Sequence, residues 1–438
     1  MAKRAILSLL LGIFLTPDVA ADPPHRAFAR ILDAVCTSVA LHEQELRQIF
    51  PGGRLLEVRA DGPAGKPYRT RHRVLTPEGG EWVISRLMPG GVLRRIGLEW
   101  HAPVAEAAGA AGAAVKARPE VAVNAGGDCR PTEARRLIYG ADGTAAALEV
   151  LSPDMADVVL REEFDPPVPP GPPSPPGAVR VAVVDTGVNY TLPMFEGRLA
   201  RDADGGLLGH DFWDMDARPF DLDTARSPFF PLHHGTAVTS IILKEAPEAV
   251  ILPFRYPRPD MARFAELIAR ADAAGTRVVN MAMGSNKAAD WAAFAEAARA
   301  RPHMLFIVSA GNDGRDLDKR PVYPAALGLD NILTVTSADT AGRLARGSNW
   351  GGRTVDIMVP GEQIAVVDHR GAPGKASGAS FAVPRVVALA ARWLAKHPDW
   401  RASELKAAIL KRARPPLNGG AGMLRHGWIP DPTDDFEG

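Results

Sequence analysis

Residues 376–389 read ASGASFAVPRVVAL. From Ala379 onward the apolar residues recur at helical spacing. Ala382, Val386 and Ala390 form one strip, and Val383, Val387 and Ala391 form the next. The stretch therefore reads as a buried helix whose N-terminus falls at Ser380, behind two small residues, Gly378 and Ala379, that leave the hydroxyl open. Pro384 is expected in the first helical turn, where its missing N–H removes no intrahelical bond. The positive end of the helix dipole would face the Ser380 hydroxyl and any negative oxygen formed beside it. Serine is also a common N-cap, so a chemical role has to be earned by residues elsewhere in the chain.

Two earlier stretches supply them. Val179–Gly187 reads VRVAVVDTG, an apolar run ending in Asp185, and His233–Ser240 reads HHGTAVTS. A serine hydroxyl is a weak nucleophile near neutral pH. It needs a base for its proton, and the base needs a carboxylate to hold its tautomer. The order Asp185, His234, Ser380 is one of the known orders for such a triad. With VVNMAMGS (278–285) and VSAGNDG (308–314) between them, residues from about 179 to 412 resemble the subtilase family of serine peptidases. YPAA, NILTVTSAD, GSNWG and VDIMVPGEQI, between Tyr323 and Ile364, follow the same pattern.

The resemblance implies roles. Asp185 orients His234, His234 is the general base and then acid, and Ser380 is the nucleophile. Asn312 matches the side-chain donor to the oxyanion, with the Ser380 N–H as the second donor; a Gly-flanked Asn also suits a left-handed turn. Ala282, Met283 and Gly284 match the segment that pairs with an extended substrate, and Val308, Ser309 and Ala310 the opposite wall of the first specificity pocket. His233 is expected to take no catalytic part. Ala379 stands where the family commonly has threonine, and Ala237 and Arg385 where it commonly has histidine. None of the three is a reacting group.

Around these motifs strands and helices alternate. Strands are expected at 179–184, 249–254, 277–283 and 304–309, and helices at 234–244, 261–274 and 287–301. Unbroken apolar strands separated by helices imply a parallel, doubly wound α/β sheet, with the site at the carboxyl ends of its strands. The expected fold is subtilisin-like, preceded by a smaller α+β domain.

The chain has 438 residues, with 51 basic and 51 acidic side chains, and shows no basic block or aromatic ladder for a nucleic acid. Lys3 and Arg4, the short apolar run Ala5–Leu15 and Val19-Ala20-Ala21 read as a signal peptide over residues 1–21. That reading places the protein in the periplasm or outside the cell. No other stretch is long enough to span a membrane. A monomer acting on polypeptides is expected.

Residues 22–165 are expected to form the α+β domain: one helix over 25–50, then strands at 54–59, 68–75, 82–87, 92–98, 136–139 and 144–151, with a hairpin turn at Asp142-Gly143. An Ala/Gly-rich piece at 105–114 stays unassigned. The region stands where subtilases carry a propeptide, or it is a retained accessory domain. Cys36 and Cys129 are the two cysteines, and in an exported protein they can pair. Residues 166–178 read as an extended, proline-rich linker that holds the domains apart, 179–414 as the peptidase domain, and 415–438 as an irregular tail.

The segment 201–232 carries Asp202, Asp204, Asp211, Asp214, Asp216, Asp221 and Asp223. Many subtilases bind calcium, which carboxylates suit, and the resemblance leaves calcium open; no ligand spacing here is diagnostic, so a solvated acidic loop is expected and no cofactor is required. The function implied is an exported serine endopeptidase; the alternative is an inactive binding protein on the same fold.

Overall fold

The computed structural model describes residues 24–38, 41–63, 66–104, 117–416, 420 and 422–434. The expected leader 1–21 and the piece 105–114 lie outside the described residues. The chain divides into two units that part between Glu162 and Glu163.

The first unit opens with helices α1 (Pro24–Thr37) and α2 (Glu43–Ile49). Its sheet runs β1 (Arg54–Asp61), β2 (Arg69–Leu75), β3 (Glu81–Leu87), β4 (Arg95–Pro103), β5 (Ala117–Gly126), β6 (Pro131–Tyr139), β7 (Ala145–Leu151) and β8 (Val158–Glu163), in that spatial order. Neighbours from β1 to β7 pair antiparallel. Phe28, Ile31, Leu32 and Val35 of α1 bury against Trp82, Ile84, Ile96 and Leu98. The single helix expected over 25–50 is broken into two. Leu41 takes φ 50° and its N–H donates to Ser38 Oγ at 3.0 Å, a local bond that competes with the helix ladder. The expected strand 92–98 begins later and runs on to Pro103. The sulfurs of Cys36 and Cys129 are bonded, with Cα atoms 6.0 Å apart.

The second unit contains β9 (Val179–Asp185), β10 (His210–Asp211), α3 (Gly235–Glu245), β11 (Ala249–Arg255), α4 (Phe264–Ala273), β12 (Val278–Met281), α5 (Ala292–Arg299), β13 (Leu305–Ser309), β14 (Ile332–Ala338), β15 (Ile357–Pro360), the hairpin β16 (Ile364–Val367) and β17 (Pro373–Ala376), α6 (Ala379–Lys396), α7 (Ala402–Lys411) and β18 (Gly427–Trp428). Its main sheet runs β10-β11-β9-β12-β13-β14-β15-β18, with every neighbouring pair parallel. Alternation along β9 explains the two layers. Val181 and Val183 face a core shared with α3, α6 and α7, while Ala182 and Val184 face a core shared with α4 and α5. Helices on both faces are what makes these strands apolar throughout.

Two expectations change. Pro384 lies inside α6, not in its first turn. A non-proline residue there would donate to the carbonyl four back, so the Ser380 carbonyl loses that i+4 bond. The proline-rich stretch is also not a free spacer. Tyr190 donates its hydroxyl to Pro166 O at 2.5 Å, Arg201 N–H donates to Ser174 Oγ at 2.7 Å, and the Arg201 guanidinium donates to Pro169 O. Arg218 pairs with Asp165 at 2.7 Å. Val168 packs on the core beside α6. The stretch is a strap laid on the second unit.

Candidate active site

Asp185 is the last residue of β9, and only 3% of it is exposed. Its Oδ1 accepts the Thr186 N–H at 2.8 Å and lies 2.7 Å from His234 Nδ1. An ionised carboxylate only accepts, so Nδ1 carries the proton and Nε2 is left bare as a base. Asp185 Oδ2 is buried without a hydrogen-bond partner among the described residues.

His234 stands directly before α3. Asp221, with none of its surface exposed, fastens this corner. Its Oδ1 accepts the His234 N–H at 3.0 Å and the Thr186 hydroxyl, and its Oδ2 accepts the Thr236 N–H at 2.9 Å. It therefore satisfies N–H groups that α3 cannot satisfy internally. Burial alone would push the imidazole pKa down. The Asp185 charge, its hydrogen bond and the Asp221 charge outweigh burial, so His234 holds its proton above the ordinary imidazole value.

The acidic segment is thus not simply solvated. Asp211, Asp221 and Asp223 are buried. Asp211 and Asp214 pair with Arg255, Asp216 with Arg218, and Asp223 accepts the Tyr256 hydroxyl at 2.8 Å. Their spacing gave no sign of this, because Arg255 and Tyr256 come from a distant part of the chain, and only Arg218 lies near its acid in sequence. His233 sits to one side, its Nδ1 on Asp221 O and its ring stacked on His369 at 3.5 Å.

Ser380 is the second residue of α6. Gly378 before the helix takes φ 126°, and a Cβ there would lie 2.9 Å from Asn312 Oδ1. Glycine is required on both counts. Asn312 Oδ1 accepts the Ala379 N–H at 2.8 Å, which fixes the amide orientation and leaves its NH₂ to point elsewhere. The N–H groups of Phe381 and Ala382 both reach Gly378 O. Of the first four N–H groups of α6, that of Ser380 is the one that takes no partner among the described residues. The Ser380 hydroxyl donates to Ala282 O at 3.1 Å. The neighbouring Phe381 ring lies 5.6 Å from the His234 ring, so α6 brings its N-terminus beside the Asp185–His234 pair.

Ala282 and Met283 follow β12, with Gly284 exposed beyond them. Val308, Ser309 and Ala310 are at most 2% exposed, so they present almost no surface to a bound chain.

A family model described as the subtilase family, peptidase S8, matches residues 177–428. One relative is a thermophilic serine proteinase of Bacillus sp. (strain AK1), 29% identical over 225 residues, which is 48% of this chain and 51% of that protein. Another is alkaline serine exoprotease A of Vibrio alginolyticus, 28% identical over 284 residues, 59% of this chain and 49% of that protein. The chain spans about half the length of these curated relatives. Among solved structures, a cold adapted subtilisin-like serine proteinase aligns with 26% identity and a TM-score of 0.47, over 57% of this chain and 88% of that one.

Proposed function

Because the chain belongs to the subtilase family, we propose that it is a serine endopeptidase that hydrolyses peptide bonds through an acyl-enzyme, with Asp185, His234 and Ser380 as its catalytic residues. The observation that carries the reading is the 2.7 Å bond from His234 Nδ1 to a buried carboxylate, beside a helix whose second residue is Ser380.

Ser380 Oγ turns from the Ala282 carbonyl toward His234 and attacks the carbonyl carbon of the scissile bond, while its proton passes to Nε2. The oxygen that becomes negative is met by the Ser380 N–H and the Asn312 NH₂, at the positive end of α6. Nε2 then returns the proton to the leaving nitrogen, the C–N bond breaks, and an ester on Ser380 remains. Water, deprotonated by the same imidazole, cleaves the ester. The exposed segment after β12, at Met283–Gly284, offers main-chain bonds to an extended substrate.

We read the protein as exported, on the strength of the leader-like residues 1–21. No helix among the described residues is long and apolar enough to cross a membrane. The first unit serves as a propeptide or as an accessory module, and chain length over time after expression separates the two.

The test is Ser380→Ala beside wild type, with unfolded casein and a fluorophosphonate probe. Wild type should cleave and label, and the variant should do neither while keeping its thermal transition. Folded wild type that neither cleaves nor labels, even when freed of the first unit, would leave an inactive binding protein on this fold.

A further inference from the structure

Resting on the peptidase reading, we propose that Arg315 determines which side chains the cleft accepts just before the scissile bond, by neutralising Asp313 across the mouth of the crevice that receives them. β12 and β13 are adjacent and parallel, and their last paired residues are Met281 and Val308. Beyond that pair the two chains part. One exit, at Ala282, holds the Ser380 hydroxyl; the other, at Asn312, holds the Ala379 N–H. A peptide carbonyl placed over Ser380 has to lodge its adjoining side chain between these exits.

The charged side chains on the two exits are Lys287, Asp313, Arg315 and Asp316. Asp316 pairs with Lys319 at 3.2 Å. The Arg315 guanidinium reaches in both directions. One nitrogen lies 2.8 Å from Asp313 Oδ2, and another donates at 3.0 Å to Asn286 Oδ1 on the opposite exit. It is held from behind. The Arg315 N–H donates to the buried Asn349 at 3.0 Å, and the Arg315 carbonyl accepts from Trp350 at 3.0 Å. The opposite exit is tied by Ser285 and Tyr323, which exchange main-chain bonds at 2.9 and 2.8 Å. The Arg315 side chain is 20% exposed and that of Asp313 is 53% exposed. The pair is therefore set on fixed backbone and close enough to solvent to meet a ligand.

A lysine entering this mouth meets a guanidinium and a carboxylate that is already paired. Without Arg315, Asp313 becomes an exposed and uncompensated charge that attracts a cation. The residue thus works against basic side chains at that position and toward uncharged or acidic ones.

The experiment compares kcat/KM for three peptide anilides that differ only in the residue before the scissile bond: phenylalanine, lysine or glutamate. Arg315→Gln should raise the lysine-to-phenylalanine ratio about fivefold, the scale of one partly screened charge, and lower the glutamate ratio. Adding Asp313→Asn should return both ratios toward wild type, and high salt should shrink the change. A purely structural loss would lower all three substrates alike. Ratios within about twofold of wild type, the scatter expected of exposed pairs, overturn the role of Arg315. Folded wild type that hydrolyses none of the three overturns the peptidase reading, and this proposal with it.

Discussion

Asp221 holds the His234 N–H from a carboxylate that solvent does not reach, and its charge acts on the imidazole. The base works when neutral, so activity should rise as pH climbs through the raised His234 pKa and then level off. Asp221→Asn removes one of the charges that favour the proton. The acid limb of kcat/KM should move to lower pH, with the plateau reduced because the α3 corner loosens; an unmoved limb would exclude electrostatic action. Asn312→Ala should lower kcat by about 100- to 1000-fold, roughly 2.7–4 kcal/mol, a scale measured on a subtilisin rather than derived from this geometry. Asp165 is shifted upward as well, here because its charged form is penalised rather than favoured. Burial, Asp216 and other nearby acids push it up to about 6 despite Arg218. Its favourable contribution is complete below the ordinary carboxylate value and is lost as pH rises through about 6. Asp165→Asn should therefore raise the melting temperature at pH 8 and change little at pH 4. The positions of Asp185 at a strand end and of His234 and Ser380 at helix starts were legible because each adjoins an apolar run. Asp221 was not, since seven acids in one loop look alike until the fold buries some of them.

At the scale of the element, α6 depends on the backbone just before it. Gly378 has φ 126° and no room for a Cβ beside Asn312. Gly378→Ala should cost about 1–3 kcal/mol of strain and displace Asn312. Calorimetry should show a lower transition and kinetics a lower kcat with KM less affected. Four strands of the parallel sheet, β9, β11, β12 and β13, were legible to within a residue or two at their ends, since burial on both faces leaves an apolar run, while β10, β14, β15 and β18 were given no bounds. β5 and β8 were not foreseen. β5 carries Pro119 and several alanines, poor strand formers held by two neighbours, and β8 leaves Val158, Val159 and Leu160 substantially exposed.

For the whole molecule, two units with separate cores should unfold in separate steps. The bond between Cys36 and Cys129 spans 93 residues of the first unit alone. Replacing both by serine should destabilise that unit by about 4–5 kcal/mol on the loop-entropy scale. The second transition should stay in place, which a calorimetric scan with and without reductant would show. The division falls just before the proline-rich stretch rather than within it, and the attachment of that stretch was not legible, since composition does not reveal that Tyr190 and Arg201 wait to bind its carbonyls. That attachment bears on the lifetime of the chain. Between Asp165 and Gly177 every peptide bond has a proline on at least one side. An enzyme that reads its substrates by their amide hydrogens finds few there, and docking commits that of Ser174 to the Arg201 carbonyl. On the peptidase reading, the strap is the stretch that self-digestion should spare. On prolonged incubation, new chain ends should appear before Asp165 or after Gly177, and a fragment beginning inside the strap would contradict this.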